Sequence, residues 1–137
     1  MADDQTQHGI TAAQFKHLLT TVAEGWEADD ARRAADCFTE DAIYIEPPGR
    51  QVYVGREALH EFFAGGDNPA PSTHMTWHNI IFDEATQLGC GEYTYHGNNR
   101  YHGAVMVRVR DGKISRWREY QRQSPLDWSD FIAPQDR

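Results

Sequence analysis

The chain has 137 residues, of which 13 are basic and 21 acidic, and its formal net charge is −8 at pH 7. This length suits one domain with a sizeable hydrophobic core. The acidic balance argues against nucleic acid as a partner, because nucleic-acid sites need a basic electrostatic field.

The cysteines and the apolar pattern exclude further classes of protein. Cys37 and Cys90 lack the CxxC spacing and indicate neither a zinc site nor a disulfide scaffold. Residues 1–9 are polar and acidic, unlike the basic and apolar regions of a signal peptide. No apolar run approaches membrane-spanning length. We therefore expect a soluble, cytoplasmic protein with no membrane partner.

The first half of the chain is predicted to contain three helices. Thr11 and Gln14 form a capping box, and an apolar stripe with spacings of three and four residues follows it. Asp30 is expected to cap a short second helix that extends to Phe38. A third helix is predicted over about residues 56–63, before a pair of glycines. The stripe of the first helix consists of Phe15, Leu18, Leu19, Val22 and Trp26.

The other elements are predicted to be strands. Residues 42–46 form a strand that ends at residues 47–49, because prolines cannot continue a ladder. Val52 and Val54 mark a short extended piece, and a polar loop at residues 67–72 follows the third helix. Four long strands come next, and hairpin turns connect the later ones: about residues 73–82, 88–96, 101–110 and 113–121.

This order of elements predicts the fold class. Helices followed by an antiparallel meander indicate an α+β fold. We expect a cone-shaped single domain with about three helices packed on the concave face of a strongly curved, mostly antiparallel sheet. Residues 1–10 are assigned to a flexible N-terminal tail, residues 11–123 to the domain, and residues 124–137 to a C-terminal extension packed on it.

Two strands place a carboxylate on the same face as an aromatic side chain. Side chains at i and i+2 share a face, so Tyr44 accompanies Glu46, and Trp117 accompanies Glu119. A carboxylate that faces a core is costly unless it is paired, hydrogen-bonded or protonated. In one apolar cavity, desolvation and mutual repulsion would raise at least one carboxyl pKa toward neutrality. Glu46, Glu119 and Tyr44 are therefore the candidate catalytic residues.

Each candidate also has a structural interpretation. Glu46 could be a partly solvated carboxylate at a strand end, and Glu119 could form an ion pair with an arginine. Tyrosine hydroxyls could donate hydrogen bonds to a substrate oxygen, or the rings could simply line a cavity. The aromatic candidates for ligand binding are Trp26, Trp77, Tyr93, Tyr95 and Trp117.

Four histidines fall in the predicted strands and beside a turn. His74 and His78 share a face if their strand is regular, and His96 lies near a turn with His102 across from it. Because no HxH or HExxH pattern is present, we predict no metal site, and we expect no cofactor. His74 is instead a candidate ligand-binding residue, possible as a base paired with Glu46. A bulge would change which histidine points inward.

Arginines alternate with apolar residues along the last two strands. The alternation places them on the outer face of the sheet. This face is either solvated and balanced by Glu92, or a homodimer interface in which arginines meet carboxylates and aromatic rings of a second copy. We predict the homodimer. The arginines are Arg108, Arg110, Arg116, Arg118 and Arg122.

The order of elements over residues 11–123 resembles the SnoaL-like branch of the nuclear transport factor 2-like superfamily. Residues 38–44, FTEDAIY, look like the end of the family's second helix and its first strand. Residues 112–120, GKISRWREY, look like its last strand and are similar to a segment of limonene epoxide hydrolases. The resemblance implies the fold, but this fold hosts many reactions as well as non-catalytic binders.

The functional positions of ketosteroid isomerases transfer only in part. Their catalytic Asp stands before the proline that ends the first strand, where this chain has Glu46. Their two oxyanion donors would fall at Val22 and Val105, which cannot donate. The resemblance therefore does not imply steroid isomerisation by that mechanism.

The positions of limonene epoxide hydrolases also transfer in part. One catalytic Asp matches Glu119, and the Tyr and Asn that hold the water match Tyr44 and Glu46. The remaining Arg and Asp would fall at Tyr93 and Tyr95, so the catalytic set is incomplete.

Two functions remain. The first is a cofactor-free isomerase, hydrolase, dehydratase or cyclase that binds a small apolar, oxygen-bearing molecule and uses Glu46 as acid or base. The alternative is a non-catalytic ligand-binding or dimeric assembly module. The carboxylate pair and the tyrosines favour the enzyme, whereas the incomplete catalytic sets favour the binder.

Overall fold

The computed structural model describes residues 9–65 and 74–134. The predicted loop at residues 67–72 and most of the predicted N-terminal tail lie outside these residues. The described part contains four helices: α1 Ala12–Glu27, α2 Ala31–Ala35, α3 Arg56–Phe63 and α4 Trp128–Phe131. It also contains six strands: β1 Phe38–Glu46, β2 Gln51–Val54, β3 His74–Asp83, β4 Leu88–His96, β5 Arg100–Arg110 and β6 Lys113–Gln123.

All six strands belong to one sheet, in the order β2-β1-β6-β5-β4-β3. Neighbouring strands are antiparallel except β1 and β6, which run parallel and set Tyr44 opposite Trp117. Helices α1, α2 and α3 precede the long meander, and the core lies between them and the concave face. The predicted α+β fold class is confirmed.

Helix α1 begins where the sequence predicts. The Thr11 hydroxyl accepts a hydrogen bond from the Gln14 N–H, and the Gln14 side chain accepts one from the Thr11 N–H, so the capping box is complete. The ordered contacts extend one residue further back, because the Ile10 N–H donates to Gln87 and the Ile10 side chain packs against the core. Contacts with the domain thus reach into the segment predicted as a tail.

Helix α2 is shorter than predicted. It ends at Ala35, and Phe38 opens β1 instead of closing the helix. Phe38 pairs with Ile114 of β6, and the Cys37 carbonyl accepts from the Ile114 N–H at 2.8 Å. A pairing with the last strand of the chain therefore overrides the local helical pattern.

Two glycines in β4 allow α1 to lie close to the concave face. A Cβ at Gly89 would come within 2.6 Å of the Phe15 ring, and one at Gly91 within 2.6 Å of the Trp77 ring. The indole N–H of Trp77 donates to the Leu19 carbonyl of α1 at 3.0 Å. The helix and the sheet are thus held together by a side-chain hydrogen bond as well as by apolar packing.

Strand β3 carries a bulge at His78, between Trp77 and Asn79. Trp77 precedes it and Ile80 follows it on the core side. The His78 ring instead contacts Thr94 and Trp128 on the convex side. The bulge therefore shifts the core-facing positions of β3 from Met75 and Trp77 before it to Ile80 and Phe82 after it.

The convex face is covered at one end by the C-terminal segment. The His102 Nε2 and the Leu126 carbonyl lie 2.6 Å apart, and Arg100 donates to the Pro125 carbonyl at 2.6 Å. The predicted arginines lie exposed on the rest of this face, with Arg108 opposite Arg116. No helix among the described residues is long and apolar enough to cross a bilayer.

Candidate functional site

Glu119 is a buried carboxylate on the concave face of β6. Only 4% of the residue is exposed. Its Oε1 accepts two hydrogen bonds of 2.8 Å, one from the Tyr44 hydroxyl and one from the Trp117 indole N–H. Trp117 lies two positions earlier on the same strand and Tyr44 lies on the parallel neighbour β1, so the sheet register itself assembles this group.

Burial raises the pKa of Glu119 from 4.5 to about 7. The two hydrogen bonds act in the opposite direction because they stabilise the charged form, and the nearby charge of Glu46 adds to the increase. Glu119 is therefore populated both as acid and as base near neutral pH. The structural ion pair with an arginine that the sequence left open is absent from its described contacts.

Glu46 lies at the end of β1 on the same face. It is also buried, and its Oε1 accepts a hydrogen bond of 2.9 Å from the Gln51 side chain of β2. The register of β1 and β6 pairs Ile45 with Arg118, so the next residues, Glu46 and Glu119, are neighbours. The structure thus brings the two predicted carboxylates together.

Tyr44 is fully enclosed by aromatic rings. It stacks on Trp117 with ring centroids 5.4 Å apart and planes 7° apart, and Phe62 and Phe63 of α3 meet its edge. Burial and the charge of Glu119 raise the pKa of Tyr44 well above its ordinary value. Its hydroxyl therefore keeps its proton and remains a donor to Glu119.

Tyr93 contacts a residue that the sequence analysis did not select. Its hydroxyl donates to Gln121 Oε1 at 2.8 Å. Burial, followed by the charges of Glu119 and Glu46, raises the pKa of Tyr93, so this hydroxyl also stays protonated. The same alternation that placed Trp117 with Glu119 would have placed Gln121 beside them.

The remaining aromatic candidates form a wall around Glu119. Trp26 of α1 lies 5.9 Å from Trp117 and 6.3 Å from Tyr95, measured between ring centroids. Burial and the charge of Glu119 raise the pKa of Tyr95. Trp77 packs edge-on against Trp117 at 6.2 Å. Its indole N–H already donates to the Leu19 carbonyl of α1, so Trp77 lines the site with its ring alone.

His74 lies away from the carboxylates. It is exposed, and its Nδ1 contacts Glu27 at the end of α1, while its ring neighbours Thr76 and His96. The pairing of His74 with Glu46 that the sequence suggested is therefore wrong. Its position at the start of β3 brings it to the end of α1 instead.

Metal binding finds no support in the described part of the chain. In residues 9–65 and 74–134, no group of three or more His, Cys, Asp or Glu side chains is arranged to hold a metal ion. Thr94 lies between the rings of His78 and His102, and its hydroxyl is hydrogen-bonded to both.

Residues 19–117, most of the chain, match the family model of the SnoaL-like domain. The chain belongs to this SnoaL-like family. The match includes β1 and the start of β6, the two strands whose pairing brings Tyr44 against Trp117. No curated protein matches the chain in sequence.

Solved structures share the fold at low sequence identity. A protein of unknown function with a cystatin-like fold from Methylobium petroleophilum PM1 has a TM-score of 0.74 and 16% identity, over 94% of this chain and 96% of the other. An LEH-like epoxide hydrolase of M. tuberculosis has a TM-score of 0.68 and 14% identity, over 81% and 84% of the two chains.

A third structure is a hypothetical protein with a ketosteroid isomerase-like fold from Catenulispora acidiphila DSM 44928, in complex with trimethylamine. Its TM-score is 0.66 and its identity 19%, over 75% of this chain and 83% of the other. These similarities place the SnoaL-like domain in the nuclear transport factor 2-like fold. At such identities they show the fold alone.

Proposed function

We propose that this SnoaL-like protein is a cofactor-independent enzyme that performs acid–base chemistry on a small apolar, oxygen-bearing molecule. One observation carries the proposal: Glu119 is a buried carboxyl group with a pKa of about 7, set among aromatic rings. A group that is half protonated near neutral pH can both give and take a proton, and such a group is the usual requirement of this chemistry.

The two oxygens of Glu119 differ in their hydrogen bonding. Both donors, Tyr44 and Trp117, are bonded to Oε1. Oε2 has no hydrogen-bond partner among the described residues and is the oxygen proposed to exchange the proton with the substrate. The paired donors hold the carboxyl plane in one orientation, which a proton transfer needs.

Glu46 takes a second role in this proposal. The sequence favoured it as the acid or base, but its Oε1 is engaged by Gln51. Its charge raises the pKa of Glu119. We assign the proton transfer to Glu119, with Glu46 as a neighbouring carboxylate whose charge adds to the pKa increase that burial causes.

Titration of Glu119 by carbon-13 NMR tests the proposal. We expect a glutamate side-chain resonance with a midpoint near pH 7 that disappears in Glu119→Gln and persists in Glu61→Gln, whose side chain is exposed. A midpoint near the ordinary 4.5 would remove the basis for the proposal. An enzyme should also lose turnover of small ketones and epoxides in Glu119→Gln while still binding them.

The alternative function, a non-catalytic module, predicts a different result in the same experiment. The wild type would then turn over no small ketone or epoxide, and Glu119→Gln would change only the titration and the stability of the protein. No described contact favours this alternative over the enzyme.

We further propose that the uncovered part of the convex face binds a second copy of the chain. It exposes apolar side chains on both sides of its arginines, with Val54 of β2 63% and Ile81 of β3 69% exposed. Six strands at about 4.8 Å spacing make it about 25 Å wide. Such a face offers an area on the order of the 800 Å² that one partner buries in a stable dimer. The cytoplasmic location stays a prediction.

A further inference from the structure

Two arginines lie directly opposite each other on the convex face of the sheet. In the antiparallel register of β5 and β6, Arg108 is the partner of Arg116, and both side chains are exposed. These two residues form the arginine pair of this face. The Cβ atoms of directly opposite residues are about 5 Å apart, and like charges in such positions destabilise the pairing of two strands. The arginine pair therefore has a cost in the folded protein.

A bulge in β6 sets this pairing. Ser115 is an extra residue at this point of the ladder, and its buried hydroxyl donates to the Arg108 carbonyl at 3.2 Å. Bulges redirect the neighbouring side chains and are frequent beside functional sites. Here Ile114, before the bulge, faces the core, and Arg116, after it, lies exposed on the convex face.

Two other arginines of the convex face already have partners. Arg110 forms an ion pair with Asp41 at 2.5 Å. The Arg118 guanidinium lies 6.0 Å from the centre of the Tyr120 ring. Among the described residues, by contrast, no carboxylate forms an ion pair with either member of the arginine pair.

Apolar side chains border the arginine pair across the sheet. Its neighbours on the two flanking strands are Ile43 of β1 and Leu88 of β4, both half-buried. Glu92, the carboxylate that could balance this face, accepts a hydrogen bond of 2.9 Å from the Asn79 side chain. The described part of the chain thus combines two adjacent positive charges with an apolar border and supplies no counter-charge to them.

We propose that the arginine pair is an oxyanion site that binds a phosphate dianion, as free phosphate or as the phosphate group of a small monoester. Each guanidinium presents a planar fork of N–H donors, and two forks together match the several oxygens and the double charge of one phosphate. A monocarboxylate has two oxygens and one charge, which a single arginine satisfies. The pair therefore favours a dianion.

The net charge of −8 does not prevent binding at this site. At physiological ionic strength, charges further away than about 8 Å are largely screened. The local field is set by the arginine pair and by Arg118, two positions along the same face of β6. One phosphate needs only these few charges, whereas a nucleic acid needs an extended basic surface.

Titration with inorganic phosphate, at an ionic strength kept constant with sodium chloride, tests the site. The Arg108 and Arg116 Nε–H signals in proton–nitrogen NMR spectra, assigned with the Gln variants, should shift along one binding curve. Arg116→Gln should weaken binding about tenfold, the equivalent of one charge-assisted contact. Arg50→Gln removes the same charge at an exposed position between β1 and β2 and should leave the binding unchanged.

A lysine variant separates an oxyanion site from a general positive surface. Arg116→Lys keeps the charge but replaces the planar fork by one ammonium group. We expect this variant to bind phosphate about threefold more weakly than the wild type, because the paired N–H contacts are lost. Binding equal to that of the wild type, or wild-type arginine signals that do not respond to phosphate, would overturn the inference.

Two aryl probes test the preference for a dianion. Phenyl phosphate loses its second proton at about pH 6, whereas phenyl sulfate has nearly the same shape and stays a monoanion. Phenyl phosphate should bind the arginine pair about fivefold more tightly than phenyl sulfate at pH 7.5, and about equally at pH 5. Equal binding of the two probes at pH 7.5 would contradict the assignment.

The same titrations distinguish the two sources of phosphate. Tighter binding of phenyl phosphate than of inorganic phosphate would assign the site to a monoester whose organic group packs on Ile43 and Leu88. Equal or weaker binding would assign it to free phosphate.

The inference goes beyond the proposed functions and can fail separately from them. Glu119→Gln, on the opposite face, should bind phosphate as the wild type does. If the wild type sediments as a monomer while its arginine signals respond to phosphate, the homodimer fails and the oxyanion site stands. If the wild type is a dimer whose arginine signals do not respond, the homodimer stands and the oxyanion site fails.

Discussion

Glu119 shows how burial of one residue can both lower stability and bring a carboxyl pKa toward neutrality. Its pKa is raised mainly because burial removes water from the charged form. The hydrogen bonds from Tyr44 and Trp117 recover part of that free energy but not all of it. A buried carboxyl group with a pKa in this range is typical of functional sites.

The first prediction follows from the pH dependence of this penalty. The folded protein keeps a proton on Glu119 that the unfolded chain releases between pH 4.5 and about 7. The free energy of unfolding should therefore fall as pH rises through this window. Below it both states are protonated, so Glu119 makes no difference. Above it the full penalty is present, up to about 3 kcal/mol.

Glu119→Gln removes the charge and keeps an oxygen that accepts from Tyr44 and Trp117. We expect the variant to match the wild type at pH 4.5 and to be more stable at pH 8, by up to about 3 kcal/mol. Urea denaturation at the two pH values measures this. Glu61→Gln, at an exposed position, should show no such pH-dependent difference. A loss of stability at pH 8 would contradict the assignment.

At the scale of elements, a chain of side chains fastens the C-terminal segment to the sheet. The rings of His78 and Trp128 stack 4.2 Å apart. Thr94 Oγ1 lies 2.6 Å from His78 Nε2 and 2.8 Å from His102 Nδ1. The other nitrogen of His102 is bonded to the Leu126 carbonyl, which can only accept. His78 of β3, Thr94 of β4 and His102 of β5 thus together attach the C-terminal segment to the sheet.

This attachment should weaken in acid. Burial, and then the positive charge of His102, lowers the pKa of His78, while Glu92 acts in the opposite direction. Because the free imidazole has the higher pKa, docking is fully favourable above about 6.5 and weakens as the pH falls through the lowered value. The charged and titratable groups around the two rings are Glu92, His96, Arg100, Arg122 and Asp127.

Fluorine NMR of the protein labelled with 5-fluorotryptophan measures this docking. The Trp128 resonance, assigned with Trp128→Phe, should move between pH 7 and pH 5. In His78→Gln the Trp128 resonance should lose most of this pH dependence. A Trp128 resonance that is constant over this range would show that the histidines do not govern the attachment.

At the scale of the whole molecule, the two faces of the sheet differ in their side chains. Its concave face holds the carboxylates, and its convex face holds the arginines and exposed apolar side chains. Tyr120, 53% exposed, lies in the middle of the convex face with Arg118 6.0 Å from its ring. A two-fold axis through this region would bring each such pair against its copy.

The third prediction concerns this face. Tyr120→Asp should shift the protein from dimer to monomer at micromolar concentration, because it places a charge in the centre of the proposed interface. Sedimentation velocity measures the change. His17→Asp adds the same charge on the exposed side of α1 and should leave the dimer intact. A wild-type protein that is monomeric at every concentration tested would refute the proposed homodimer.

The sequence by itself determined most of the helices and strands, and which side chains of one strand share a face. The Thr11–Gln14 capping box starts α1 as predicted, and the four long strands lie within two residues of their predicted ends. Alternation also placed Glu46 with Tyr44 and Glu119 with Trp117. These features could be predicted because a cap and a two-residue period depend on neighbouring residues alone.

Only the tertiary structure decided which residues of other strands these side chains contact. The parallel pairing of β1 with β6 joins residues about 75 positions apart, and it brings the Tyr44 hydroxyl to Glu119 and draws Phe38 out of the predicted helix. The contact of Tyr93 with Gln121 depends on three strands and on the missing side chain of Gly103. Pairings between distant segments are set by the free energy of the whole packed sheet, so no local pattern reveals them.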